Sequence, residues 1–186
     1  MILTGPEIHK RVRDGRIEIT PFNENQINPA SYDLRLGNTL VTYYKEKGVQ
    51  GMFRTLLENL TWDTKQENPH DSKTFDQITL QPGILYLMHT EEIVCAHDTV
   101  PIVDGKSSIG RLGISVHQTA GFGDIEFRGQ YTLEVTVVHP VIVYAGMRFC
   151  QIRFHEVVGE IQRYQGNYQG ETAMGPVASR SWRQFK

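Results

Sequence analysis

Short apolar runs, several of them alternating with polar residues, dominate the second half of the chain. Turn signals rich in glycine and proline separate these runs, and this pattern is typical of β-strands. They predict strands at Ile78–Leu80, Ile84–His89, Ile93–Cys95, Ile114–His117, Tyr131–Val138, Val141–Tyr144 and Phe149–Phe154. Many short strands at such spacing indicate a mainly β domain, either a barrel or a sandwich.

The first residues carry the signals of one short helix. Thr4 and Glu7 have the spacing of a capping box, and Pro6 is tolerated in a first helical turn. Gly15 is a typical helix stop. We therefore predict a helix over about residues 5–14.

A further strand is indicated where Tyr32, Leu34 and Leu36 alternate with polar residues. Asp33 and Arg35 fall on the polar side of this strand. Two interpretations remain open for them, a solvated face with a cross-strand pair or a role at a subunit contact.

The segment from about residue 45 to 76 is polar, acidic and weakly periodic, and it predicts irregular surface structure with a single helical turn around Met52–Leu60. No linker or internal repeat divides the chain. We expect one domain over residues 1–186, with residues 164–186 as a glycine-rich, basic tail. The tail is either a frayed end or a lid that orders over a ligand.

Composition narrows the possible partners. The 186 residues include 19 Lys and Arg against 21 Asp and Glu, so the net charge of -2 argues against a nucleic-acid-binding surface. Cys95 and Cys150 are isolated, and no signal peptide or long apolar run is present. We expect a cytoplasmic protein with no membrane partner.

Residues 105–113 (GKSSIGRLG) hold the densest candidate chemistry. They do not form a Walker A loop, because Val100 stands where that motif requires glycine. Ser107 and Ser108 instead precede one possible helical turn, and its free N–H groups together with Arg111 would suit a phosphate. The alternative is a capped turn with Arg111 in a surface ion pair.

A single glutamate stands out within the predicted strand Tyr131–Val138. Strand alternation places Glu134 on the face opposite Leu133 and Val135. That face is either simply solvated or presents a glutamate that shuttles protons for an attacking water. The zinc signature of common nucleobase deaminases is missing, because no histidine or cysteine has the required spacing. His117 either bonds within such a site or is structural.

Several motifs taken together resemble the dCTP deaminases of the trimeric dUTPase superfamily. They are KSSIGRLG at residues 106–113, HQTA at 117–120 and TLE at 132–134, together with Asp124, Phe127 and Gly129. NPASYDLRLG at 28–37, AGMRFCQ at 145–151 and GPVASR at 175–180 extend the likeness over nearly the whole chain.

The resemblance implies a distorted jelly-roll, dUTPase-like β-barrel with a short N-terminal helix, assembled as a homotrimer with active sites between subunits. It implies zinc-independent hydrolysis of dCTP to dUTP and ammonia, with Mg²⁺ bound only through the triphosphate. It assigns catalytic roles to Glu134, Arg111 and Ser107. It assigns substrate contacts to Lys106, Ser107, Ser108, Arg111, Ala120, Asp124, Thr132, Leu133, Gln151, Tyr164 and Gln169.

The chain also departs from the family pattern. Asn167 stands where typical members carry a phosphate-binding lysine, for which Arg163 is a possible substitute, and Gly123 replaces an aliphatic residue. Gly121, Phe122 and Gln151 favour members that continue to dUMP and pyrophosphate. Our main expectation is a reaction that stops at dUTP. The alternatives are deamination followed by cleavage to dUMP and pyrophosphate, and a non-catalytic nucleotide-binding trimer. A plain dUTPase is disfavoured by Glu134.

Overall fold

The computed structural model describes residues 1–43, 62–169 and 174–186. Strands form most of its regular structure, with two short helices and 3-10 turns at Glu24–Gln26 and Ser181–Phe185. In chain order the elements are α1 (Gly5–Arg13), β1 (Ile17–Thr20), β2 (Ile27–Asn28), β3 (Ser31–Arg35), β4 (Thr39–Thr42), β5 (Asp71–Thr74), β6 (Gln77–Leu80), β7 (Tyr86–Ala96), β8 (Thr99–Gly105), α2 (Ser107–Gly110), β9 (Ile114–Ser115), β10 (Arg128–Val137), β11 (Val141–Tyr144) and β12 (Arg148–Glu156).

Among the described residues, these strands form three antiparallel sheets. The largest has the order β5-β4-β7-β10-β9, and β1 pairs with the last part of β7. The second has the order β2-β3-β12-β8, and the third joins β11 to β6. The predicted mainly β, jelly-roll-like fold with a short N-terminal helix is confirmed.

One hydrophobic cluster links the three sheets and α1. Its largest members, Tyr32, Phe149 and Phe154, are fully buried, and Ile8 brings the helix into the same core. Each large apolar side chain contributes about 1.5–3 kcal/mol when it leaves water. The sheets are therefore held together mainly by this shared core.

The helix lies where predicted, but its cap differs. Thr4 is the N-cap residue and makes no side-chain capping bond. Glu7 accepts a hydrogen bond from Arg11 Nε at 3.0 Å, and Arg11 is only 7% exposed. The predicted capping box is wrong because Glu7 helps to neutralise a buried guanidinium. Gly15 has a φ of 71° and ends the helix as expected.

The predicted strands Ile84–His89 and Ile93–Cys95 are one strand, β7. The polar residues between them suggested a break, but Glu92 is fully buried. Its carboxylate accepts hydrogen bonds from the Arg35 backbone N–H at 2.8 Å, from Arg35 Nε at 2.9 Å and from Gln26 Nε2 at 2.9 Å. Burial with a full set of partners is what lets the strand continue.

Other strand predictions need smaller corrections. The strand Val141–Tyr144 is confirmed with its predicted bounds, and the strands at 78–80, 131–138 and 149–154 are confirmed with shifted ends. Ile114–His117 shortens to Ile114–Ser115. The 45–76 segment is not wholly irregular, because the fully exposed β5 pairs with β4. The pattern missed β8, the last strand in the order of its sheet, where Pro101 is tolerated. On its other side β8 bonds to the loop before β10, because the Val103 N–H donates to the Gly121 carbonyl oxygen at 2.7 Å and the Gly123 N–H donates to the Pro101 carbonyl oxygen at 2.8 Å. The turn predicted at Met52–Leu60 lies outside the described residues.

No helix in the described ranges combines the length and the apolar character that crossing a bilayer would require.

Candidate active site

The predicted catalytic glutamate lies in the middle of β10. Leu133, Val135 and Val137 are buried in the core, whereas Glu134 and Thr136 are half-buried on the opposite face. This alternation confirms the predicted faces for these residues. Because the Leu133 side chain belongs to the core, any contact it makes with a substrate must come from its peptide groups.

Gln118 holds the Glu134 carboxylate, a role that sequence reasoning missed. Its backbone N–H donates to Glu134 Oε2 at 3.1 Å. Its side-chain amide donates to Thr136 Oγ1 at 3.1 Å and to the Glu134 carbonyl oxygen at 3.4 Å. Glu134 Oε1 accepts no hydrogen bond from the described residues, so one oxygen is fixed while the other is free to accept a proton. The contact spans sixteen residues, and no local pattern signals it.

The Lys106–Arg111 turn presents three polar side chains to solvent. α2 is the predicted helical turn, anchored by Ile109, which is 5% exposed. Ser107, Ser108 and Arg111 are exposed, and their side chains make no hydrogen bond or ion pair with any residue in the described ranges. The surface ion pair considered for Arg111 is therefore not formed within this part of the chain.

Lys106, at the start of the same turn, is engaged inside the protein. Its ammonium donates to both carboxylate oxygens of Asp33, at 2.9 and 2.8 Å, and Asn28 Nδ2 donates to Asp33 at 2.7 Å. Asp33 is fully buried, so of the two interpretations left open for it the solvated face is wrong. The reason is that β3 lies between β2 and β12, and its polar side is covered by the Lys106 segment.

Gln151 supports the same turn from β12. Its side-chain amide donates to the Gly105 carbonyl oxygen at 3.0 Å and accepts from Ser31 Oγ at 3.0 Å. We call Asn28, Ser31, Asp33, Lys106 and Gln151 the anchor cluster. It brings together three sequence motifs, at residues 28–37, 105–113 and 145–151. Lys106 and Gln151 were predicted to contact substrate, and here both are bonded within the chain.

The two halves of the predicted catalytic set lie on separate elements, Glu134 on β10 and the serines and Arg111 on the turn that contains α2. No hydrogen bond or ion pair among the described residues joins Glu134 to Ser107, Ser108 or Arg111. The anchor cluster fixes the turn, and Gln118 fixes the carboxylate.

The loop between β9 and β10 carries Ala120 and Asp124, both predicted to contact substrate and both exposed. His117 lies beside them, with Nε2 at 3.8 Å from Asp104 Oδ1. Its buried Nδ1 has no hydrogen-bond partner among the described residues, so a fully satisfied structural histidine is not what the structure shows.

Gly123, the departure noted before Asp124, has a packing reason. A Cβ at this position would lie 2.6 Å from the Tyr131 hydroxyl oxygen and 3.0 Å from the Pro101 carbonyl oxygen. The Tyr131 hydroxyl is buried without a partner in the described structure, and burial raises its pKa. Tyr131 sits at a bulge, where its N–H donates to Thr90 Oγ1 at 2.9 Å. Glycine at 123 makes room for this phenol.

The tail packs on its own chain. The Tyr164 ring makes an edge contact with Phe127, at 5.8 Å between centroids. Gln169 accepts from the Arg128 N–H at 3.1 Å and donates to the Glu126 carbonyl oxygen at 2.7 Å. Tyr164 and Gln169 are therefore packed against the domain and do not belong to a frayed end. That the tail orders over a ligand as a lid remains a prediction.

Near Asn167 the structure places a cation other than the one expected. Arg180 Nη1 donates to the Asn167 carbonyl oxygen at 2.7 Å, whereas Arg163 Nε lies 3.9 Å from Glu126. Arg180 therefore brings a positive charge into direct contact with the position where a lysine was expected.

The last part of the tail runs along β10. The Val177 N–H donates to Thr132 Oγ1 at 3.1 Å, and the Gly175 N–H donates to Gln130 Oε1 at 2.6 Å. A cavity of about 350 Å³ lies between the tail and the large sheet. It is lined by Asn38, Thr39, Ser72, His89, Gln130, Met174, Gly175 and Pro176. None of the predicted site residues lines it.

Comparison with known proteins decides the family. A family model described as dCTP deaminase-like matches residues 2–157. The chain belongs to this family. Curated relatives include "dCTP deaminase, dUMP-forming" of Leptospira biflexa, which is 43% identical over 95% of this chain and 94% of its own length. Proteins of the same name from Hathewaya histolytica and Cytophaga hutchinsonii are 42% and 39% identical, each over 95% of both chains.

A solved structure shares the fold. The crystal structure of 2'-deoxycytidine 5'-triphosphate deaminase from Agrobacterium tumefaciens matches with a TM-score of 0.60 and 23% identity over 84% of this chain. The chain covers 48% of that longer structure, so it spans about half its length. At this identity the likeness supports the fold alone.

Proposed function

We propose that this chain deaminates dCTP and then cleaves the product to dUMP and pyrophosphate. The observation that carries the deamination step is the half-buried Glu134, held at one oxygen by Gln118 and open at the other. The names of relatives about 40% identical over 95% of the chain favour continuation to dUMP. The expectation that the reaction stops at dUTP is therefore replaced by the two-step reaction.

The first step is a balanced hydrolysis. Glu134 takes a proton from water as the oxygen attacks C4 of the cytosine, and it passes this proton to the departing amino group, while the second water proton ends on N3 of the uracil. dCTP and water thus give dUTP and ammonia, with no zinc in the proposed mechanism. In the second step a water attacks the α-phosphorus of dUTP and pyrophosphate departs, with Asp124 helping to orient that water.

The remaining groups bind the nucleotide. Ser107, Ser108 and Arg111 suit the triphosphate and the catalytic pocket, because a guanidinium and free hydroxyls have the donors that phosphate oxygens accept. Thr132 and the peptide groups of Leu133 read the pyrimidine edge, next to Ala120. Tyr164 and Gln169 contribute from the tail, and Mg²⁺ is bound through the phosphates.

A homotrimer supplies the complete site in this proposal. The support is that Glu134 and the Lys106–Arg111 turn make no polar contact within the described chain, although each is fixed by its own partners. Glu134 of one subunit then faces Arg111 of the next. We place the enzyme in the cytoplasm, where its substrate is made.

The test is incubation of the purified chain with dCTP, dUTP or dCMP in the presence of Mg²⁺, followed by separation of nucleotides and assay of ammonia and pyrophosphate. The proposal expects dUMP, ammonia and pyrophosphate from dCTP. Accumulation of dUTP as the final product would restore the one-step reading. Ligand-dependent stabilisation without turnover would instead select the non-catalytic nucleotide-binding trimer.

A further inference from the structure

A second cluster of reactive side chains lies at the end of β7, away from Glu134. Cys95 and His97 are two residues apart, so their side chains lie on the same side of the chain there. Glu126 lies in the turn that precedes β10. Their Sγ, ring nitrogen and carboxylate oxygen all lie within 4.8 Å of one another. Sequence spacing did not reveal this group, because Glu126 is far from the other two residues along the chain.

The imidazole of His97 is oriented by carboxylates on both sides. Nε2 lies 3.1 Å from Glu18 Oε1, and Nδ1 lies 3.1 Å from Glu126 Oε1 and 3.9 Å from Cys95 Sγ. If Nε2–H donates to Glu18, the Nδ1 lone pair points toward Cys95 and Glu126. A carboxylate behind a histidine in this way is the usual arrangement for a metal-binding histidine.

The backbone holds Glu126 in an unusual conformation. Its φ is 66°, and it is the one non-glycine residue with positive φ in the described chain. Its N–H donates to the Ala96 carbonyl oxygen at 2.8 Å, which fixes the turn against β7. Residues other than glycine rarely adopt this region, so the backbone conformation of Glu126 carries an energetic cost.

The spacing is close to that of a tetrahedral zinc site. Zinc bond lengths predict separations of about 3.3 Å between nitrogen and oxygen ligands and about 3.6 Å between sulfur and nitrogen ligands. The observed 3.1 and 3.9 Å differ from these by a few tenths of an ångström. The third separation, between Cys95 Sγ and the Glu126 carboxylate oxygen, is within 4.8 Å, against about 3.6 Å in a tetrahedral site, so side-chain rotations must bring these two donors closer when the ion binds.

We propose that Cys95, His97 and Glu126 bind one Zn²⁺ ion, with Glu18 orienting His97. A set of one sulfur, one nitrogen and one oxygen suits zinc, whereas Mg²⁺ prefers oxygen alone. His97 and Glu126 are partly exposed, so water can complete the tetrahedron. This ion is separate from the proposed deamination, which uses no zinc.

Protons compete for the same donors. Burial raises the pKa of Cys95 to about 11. At His97 burial opposes the charged form, but hydrogen bonds to Glu126 and Glu18 outweigh it and raise its pKa. Zinc binding would release the Cys95 thiol proton and the second imidazole proton to solvent. The resulting thiolate and the Glu126 carboxylate balance the charge of the ion.

The position of the cluster suggests what zinc would do. The Glu126 carbonyl oxygen accepts from Gln169 Nε2, and Asp124 lies two residues earlier in the same turn. An ion tied to Glu126 would stiffen the turn that carries Asp124 and receives the tail. We assign the ion a structural role at the edge of the nucleotide site.

The experiment uses the full chain without an affinity tag, stripped of metal and then titrated with Zn²⁺ or Co²⁺. The expected results are one equivalent of tightly bound zinc, a rise in melting temperature of about 3 °C or more, and a thiolate-to-cobalt charge-transfer band. Cys95→Ser should abolish the band and weaken zinc binding at least about 100-fold. Cys150→Ser is the matched control, because Cys150 is equally buried but outside the cluster, and it should change neither result.

Two further variants guard against misfolding. Glu126→Gly fits the left-handed backbone, so it should fold and yet bind zinc at least about tenfold more weakly. Glu18→Gln should weaken zinc binding about tenfold through His97. Equal zinc binding by the wild type and Cys95→Ser, or no cobalt band in the wild type, would overturn the proposal and leave the cluster as a histidine–carboxylate ion pair.

Discussion

Lys106 and Arg111 lie at the two ends of one helical turn, yet the environments of these two cations are opposite. Lys106 is paired with the fully buried Asp33, inside a cluster in which Asn28 also donates to that carboxylate. Arg111 is exposed and has no polar partner within the described residues. The turn is therefore fixed at its Lys106 end, whereas its Arg111 end is accessible to a ligand.

The two environments contribute differently to the stability of the fold. A buried carboxylate is costly unless a cation and hydrogen bonds surround it, so Asp33 and Lys106 depend on each other for stability. An exposed arginine contributes little to stability and keeps its five donors free. Glu134 resembles Arg111 in this respect, since Gln118 fixes only one of its oxygens.

The largest expected effect is the loss of deamination on substitution of Glu134. Glu134→Gln removes the proposed proton carrier while keeping an oxygen that can accept from the Gln118 N–H. Ammonia release from dCTP should fall by at least about 10³-fold, with an unchanged urea unfolding midpoint. The assay is ammonia release under saturating dCTP. Wild-type deamination by this variant would remove Glu134 from the mechanism.

A matched pair of substitutions tests the comparison itself. Lys106→Met leaves the Asp33 carboxylate buried without its main cation and should lower the free energy of unfolding by about 3 kcal/mol. Arg111→Met should change it by less than about 0.5 kcal/mol while greatly reducing turnover. Urea unfolding of both variants measures the difference. Equal destabilisation by the two would contradict the distinction between an anchored and an open end.

Substitution of Gln118 tests how firmly the Glu134 carboxylate is held, and its expected effect on activity is smaller. Gln118→Ala removes the side-chain bonds to Thr136 and to the Glu134 backbone but keeps the N–H that holds the carboxylate. We expect kcat for deamination to fall about tenfold with little change in KM, because the carboxylate is less firmly placed. Gln118→Glu, which has the same length, should not rescue kcat, since it cannot donate to Thr136 and places a second negative charge beside Glu134.

The smallest effect concerns His89, a buried residue that has no ionic partner among the described residues. His89 Nδ1 donates to the Thr90 carbonyl oxygen, and Nε2 accepts from the Thr39 N–H, so the structure suits the neutral ring. Burial lowers the pKa of His89 below its ordinary value of 6.5. Its contribution to stability is therefore complete above that value and is lost as the pH falls below it. Unfolding free energies at pH 7 and pH 5 should differ less in His89→Gln than in the wild type.

Much of the fold could be predicted from local pattern. Alternation in β10 correctly placed Leu133, Val135 and Val137 inside, because the period of two is a property of the strand itself. The helix over residues 5–14 and the turn at Ser107–Gly110 likewise follow from nearby residues. The strand β7 was divided wrongly, since the partners that permit Glu92 to be buried come from β3 and from the 3-10 turn at Glu24–Gln26.

The sequence by itself determined the positions of β3, β6, β10, β11 and β12, the family resemblance and the identity of the candidate acid–base residue, because all of these depend on residue types at short spacing. Only the tertiary structure decided that Asp33 is buried against Lys106, that Gln118 holds Glu134, and that Glu126 joins Cys95 and His97. These contacts connect residues from 16 to 73 positions apart in the two bonded examples. Strand pairing and loop packing bring such residues together, and a burial or charge preference read along the chain cannot show which distant partner will satisfy it.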